Sequence, residues 1–158
     1  MRASIYVLTL LLIGSLSMAS LPRLDADALF GTRAFVGAPH SEAISMPVEA
    51  GGETAASELS LVEGCRGWID ASAPSLRIDF QQSGAENIEL QVDATQRNAL
   101  IVNSSDGRWY CATSNAEHQS LLRLLAPNTG QIDIWVGIFQ EGKASTSVTV
   151  RVANPAHP

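Results

Sequence analysis

From Gly64 onward, apolar residues recur at every second position in short runs, and turn residues separate the runs at fairly regular intervals. Successive side chains of a strand point to opposite faces, so this pattern calls for strands with one buried face. Leu76, Ile78 and Phe80 alternate with Arg77 and Asp79, and Ile88, Leu90 and Val92 with Glu89 and Gln91. Leu100-Ile101-Val102 is a continuous run, and Trp109-Tyr110-Cys111 follows the turn residues at 103–107. Residues 120–125 read as a strand or a helical turn. After the turn signal Pro127-Asn128-Thr129-Gly130, Ile132, Ile134, Val136 and Ile138 alternate with Asp133, Trp135, Gly137 and Phe139. Val148, Val150 and Val152 alternate with Thr149 and Arg151. Seven to eight strands in about 90 residues, with no helical period between them, predict an all-β chain. The economical architecture is a single antiparallel, jelly-roll-like β-sandwich over residues 63–153. Residues 154–158, rich in proline, read as a tail.

The other constraining feature is N-terminal. Arg2 supplies a minimal positive segment, and residues 5–16 are almost entirely apolar. About 12 residues of helix reach ~18 Å, short of the ~30 Å hydrocarbon core. Ser17-Met18-Ala19 then places small residues at the −3 and −1 positions of a cleavage site. Residues 1–19 therefore read as a signal peptide cut between Ala19 and Ser20, with no membrane anchor left after cleavage. The expected location is periplasmic or secreted. In such an oxidising compartment Cys65 and Cys111 are most simply one disulfide, the competing reading being a pair of free or redox-active thiols.

Residues 20–62 differ in texture. Asp25, Asp27, Glu42, Glu49, Glu53 and Glu58 outnumber Arg23 and Arg33, and small residues dominate the later part. With no sustained apolar period, this stretch reads as a flexible acidic leader, with a short helix possible near Asp25–Phe30. Across the chain 16 acidic residues face 10 basic ones, for a net charge of −6, which argues against nucleic acid as a partner.

Three stretches carry a family resemblance: Gly64-Cys65-Arg66-Gly67-Trp68-Ile69; Asp106-Gly107-Arg108-Trp109-Tyr110-Cys111; and Ile132-Asp133-Ile134-Trp135-Val136-Gly137 after Pro127 and Gly130. Together they resemble the bacterial pre-peptidase C-terminal domain-like proteins, over roughly residues 63–152. The resemblance implies a small secreted jelly-roll sandwich, found alone or appended to exported proteases. Where that family commonly carries an Asp-Thr stretch and acids after the second cysteine, this chain has Gln96-Arg97-Asn98-Ala99 and Ala112-Thr113-Ser114-Asn115. A calcium site, which needs several hard oxygen ligands, is therefore not carried over.

Catalytic patterns are sparse. His40 lies in the leader and His157 in the tail, so His118 is the sole candidate base in the strand-rich region. Neither Gly-x-Ser-x-Gly nor His-Glu-x-x-His occurs. Glu86, Glu89, Asp93 and Asp106 could pair as carboxylates, but alternation puts such residues on the wet face of strands. Asn103-Ser104-Ser105 fits a glycosylation acceptor of a eukaryotic secretory pathway. No cofactor or metal is expected.

The aromatics suggest binding. By parity, Trp135 lies beside Asp133 and Gly137 on the face opposite the aliphatic set, and Gly137 would open a slot next to the indole. By the same parity Trp109 shares a face with Cys111, leaving Tyr110 outward. Trp135, Asp133 and Tyr110 are thus the candidate ligand-binding residues. The expected function is an exported, non-catalytic module recognising a protein partner or an envelope polysaccharide. The alternative is an accessory domain of a secreted peptidase or other hydrolase system.

Overall fold

The computed structural model describes residues 21–37 and 42–153. The signal peptide, its cut at Ala19–Ser20, His40 and the tail at 154–158 lie outside the described residues. Among the described residues the chain forms eleven strands: β1 (Thr32–Val36), β2 (Ile44–Gly52), β3 (Thr54–Ala55), β4 (Trp68–Ile69), β5 (Leu76–Gln81), β6 (Asn87–Asp93), β7 (Asn98–Asn103), β8 (Trp109–Thr113), β9 (Gln119–Leu124), β10 (Gly130–Ile138) and β11 (Gly142–Ala153). The stretch read as seven to eight strands supplies β4 to β11. Residues 120–125 are strand, not helical turn.

The strands form two packed sheets, giving the expected β-sandwich. The larger sheet centres on β10, which pairs with β5 and then β4 along one edge and with β7 along the other. It is extended by β1 beyond β5, by β8 beyond β7 and by β3 beyond β4. The smaller sheet runs β2-β11-β6-β9. All pairs are antiparallel except β1 with β5, which run parallel. Phe80, Ile78 and Leu76 from β5, Ile132, Ile134 and Val136 from β10, and Leu100 and Val102 from β7 meet Leu90, Val92, Val148 and Val150 from the smaller sheet in one core. Each such side chain contributes roughly 1.5–3 kcal/mol when fully buried.

The acidic leader is not a flexible spacer. Its later part is β2, paired with β11 from Ile44↔Val150 to Gly52↔Gly142, and its Met46, Val48 and Ala50 are buried in the core. Ile44, Met46, Val48 and Ala50 carry a period of two, interrupted by Pro47 and followed by Gly51-Gly52. Proline is tolerated because β2 is an edge strand, where a missing N–H costs no ladder bond. The earlier part forms β1, whose Phe35 is buried in the same core. The segment before β1 does not become a helix. It runs as bends and turns across the larger sheet, with Arg23 N donating to Ala71 O, Leu29 N to Pro74 O and Phe30 N to Ser75 O.

The larger sheet is covered on both faces over β7, β8 and the C-terminal half of β10, while the outer face of β1, β5 and the start of β10 stays open. On its outer side residues 56–65 lie over β7, β8 and β10, where Ala56, Leu59 and Cys65 form a second apolar cluster with Ile69, Ile101 and Trp135. A disulfide joins Cys65 to Cys111, as expected from the sequence, and ties this covering segment to β8. No helix among the described residues is long and apolar enough to cross a membrane.

Candidate functional site

Parity places Asp133, Trp135 and Gly137 on the outer face of β10, as read from the sequence, yet that face is not open to solvent. Trp135 is 0% exposed. Its indole packs against Trp109, with ring centroids 5.3 Å apart and planes tilted by 40°. The disulfide and Leu59 lie in the same cluster. Its Nε1 is buried without a hydrogen-bond partner. Gly137 opens no slot. A Cβ there would come within 3.0 Å of Ile69 Cγ2 and 3.1 Å of the Trp68 carbonyl, so the missing side chain is what lets β4 lie against β10. Trp135 and Gly137 are therefore core positions rather than a ligand slot, because the leader and the 56–65 segment cover the face that alternation alone assigned to water.

Asp133 is equally enclosed. Its Oδ1 accepts from Arg77 Nε at 2.7 Å, and its Oδ2 from Gln131 Nε2 at 2.7 Å. The Arg77 and Asp133 side chains are 12% and 2% exposed. Arg77 completes its donors on the covering segment, bonding the Leu24 carbonyl at 2.8 Å and the Ala26 carbonyl at 2.9 Å. Asp133 thus fixes an arginine that straps residues 23–26 to the sheet. Tyr110 points to the opposite face from Trp109 and Cys111, but that is the core side: half-buried, it packs against the main core rather than standing outward. The three candidate ligand-binding residues do not converge.

The other chemical candidates disperse as well. His118 occupies a left-handed position, φ 63°, in the β8–β9 turn, where its carbonyl accepts from Asn98 Nδ2 at 2.6 Å. Glu89 and Asp93 lie on the outer face of β6, where Glu89 pairs with Arg123 and Arg151 and Asp93 accepts from Gln91. Asp106 sits in the β7–β8 turn beside Arg108. Glu86 lies under Gly37 in the turn before β6. The Ser83 hydroxyl and the Gly84 N–H, both donating to its carboxylate, hold its pKa below the usual carboxylate value. Asn103 is buried at a strand end with its amide on the Gly107 carbonyl, which shields the sequon from modification. Among the described residues no three His, Cys, Asp or Glu side chains gather to hold a metal.

What the surface offers lies elsewhere. The outer face of the smaller sheet is mostly polar, with Glu49, Glu89, Gln91, Arg123, Thr149 and Arg151; Leu121 is exposed among them, Leu125 just beyond β9, and no aromatic ring lies there among the described residues. Exposed large apolar side chains are densest along the N-terminal segment and β1: Leu21, Leu24, Leu29, Phe30 and Val36, the last 60% exposed. Beside them, β1, β5 and the start of β10 form a shallow trough lined by Ala34, Val36, Asp79, Gln81, Thr129 and Gln131. No sequence motif singles this region out, although Gly31 and Gly37 bracket the five-residue strand as turn residues do.

Comparison with known proteins adds no relative: no family model, curated protein or solved structure matches the chain.

Proposed function

We propose that the chain is an exported, non-catalytic binding module whose partner is a protein. The observation that supports this is the distribution of exposed apolar side chains. Five of the eight found among the described residues crowd residues 21–36, alongside an edge strand, whereas the smaller-sheet side exposes Ile44, Leu121 and Leu125 but, among the described residues, no ring able to stack on a sugar. Contiguous exposed apolar surface on a small folded protein marks an interaction site. Polysaccharide recognition through Trp135 loses its basis, since that ring is core. The resemblance to pre-peptidase C-terminal domain-like proteins and the disulfide favour an exported location, and an accessory role beside a secreted peptidase would be one form of protein binding.

The test is site-specific photo-crosslinking in the envelope of a producing cell. A photoreactive phenylalanine in place of Leu29 should give a discrete protein adduct that disappears when Val36→Asp is added. The same probe at Thr149, on the smaller sheet, should give none. Retention on purified envelope polysaccharide with no adduct from position 29 overturns the proposal.

A further inference from the structure

Resting on the protein-binding reading, we infer that the free edge of β1 accepts an extended segment of the partner as an added strand, with Lys or Arg on its solvent side and apolar residues on its core side. Within the described residues β1 pairs only with β5. At its two ends Gly31 O accepts from Arg77 N and Gly37 N donates to Gln81 O. In a parallel ladder the residues facing the neighbour alternate, so 31, 33, 35 and 37 turn their backbone groups to β5. Thr32, Ala34 and Val36 then direct N–H and C=O outward, a ready template for another strand. Two of the other edges are blunted in ways that β1 is not, its one charge being Arg33 on the core-side face. β2 carries Pro47 on its edge and β3 is only two residues long, whereas β1 has neither proline nor acid.

Side chains set the specificity. Asp79 is exposed, lines the trough and has no hydrogen-bond or ion-pair partner among the described residues. Its register neighbour on β1 is Ala34, on the same face. Strands lie about 4.8 Å apart, so an added strand stands roughly 10 Å from β5. A lysine or arginine opposite Ala34 spans most of that gap, its methylenes lying over the small Ala34 and beside Val36, its charge reaching Asp79. On the other face the added strand adjoins Arg33 and Phe35, where a basic residue would be repelled and an apolar one extends the core beyond Phe35. The alternative occupant, a second copy of this chain, is disfavoured because each copy carries a net charge of −6 and a five-residue edge alone buries too little for a stable dimer.

The experiment uses the mature protein, isotope-labelled for NMR, and a short blocked peptide alternating Lys and Val. Expected are shifts and slowed amide exchange at Thr32, Ala34 and Val36, with affinity falling about tenfold or more when Glu replaces Lys, and severalfold in Asp79→Asn. N-methylation of alternate peptide amides, which removes ladder bonds without touching the protein, should abolish binding. No binding, binding that survives N-methylation in both registers, or perturbations confined to the smaller sheet overturns the inference. So does β1-mediated dimerisation without peptide binding. Because the crosslinking adduct at position 29 is read independently, it can persist when strand addition fails, and the two failures are distinguishable.

Discussion

Replacing Trp135 with alanine removes a fully buried indole from the cluster formed by Trp109, Ile101 and the disulfide. The expected cost is ~3–5 kcal/mol of stability, the range for large aromatic truncations in a core. Chemical denaturation of Trp135→Ala should show this, and the Trp135 component of fluorescence, assigned with Trp135→Phe, should resist iodide. The Arg77–Asp133 pair behaves similarly for a different reason. Removing one partner leaves the other charge enclosed, so Asp133→Ala should cost ~3–5 kcal/mol and speed amide exchange at Arg23, Leu29 and Phe30, whose N–H groups hold the N-terminal segment to the β4–β5 loop. Glu86 bears on acid stability. Its carboxyl is held below its ordinary pKa by Ser83 and Gly84, so its contribution is complete above the ordinary carboxylate range and fades as pH falls through the lowered folded value. In Glu86→Gln, the acid side of a stability–pH profile should flatten.

Among the strands, β2 settles how much of the leader belongs to the fold. It pairs with β11 from end to end and buries Met46, Val48 and Ala50. Deleting residues 20–52 would expose that core and strip β11 of one ladder, a loss on the order of 5–10 kcal/mol, comparable with the whole stability of a domain this size. The truncated chain should show no cooperative thermal transition, and limited proteolysis of the intact protein should spare residues 44–52. The covering segment at 56–65 depends on its staple. Cys65→Ala/Cys111→Ala should lose ~2–5 kcal/mol by denaturant titration and, because the segment shields the indoles, raise the quenching of Trp109 by iodide.

Taken as a molecule, the sandwich is asymmetric: the smaller sheet shows water a mostly polar face, while the larger one is covered by its own chain over β7, β8 and much of β10 and open only at its β1–β5 side. Period-two alternation from Leu76 to Val152 was enough to read the strands, the all-β class and the two-sheet packing, because alternation and strand burial are the same fact seen twice. The disulfide was legible because two cysteines allow one pairing. The candidate site was not, and Trp135 shows why. Alternation says which residues share a face; it does not say whether a second layer covers that face. The near-continuous apolar run Ile134-Trp135-Val136-Gly137-Ile138 is the mark of a strand buried on both sides, which is incompatible with an exposed ring. The free edge of β1 is decided further from the local sequence still. Thr32–Val36 becomes an edge because β5 takes it in parallel and, among the described residues, no other strand pairs with it, a matter of long-range pairing that no local period encodes.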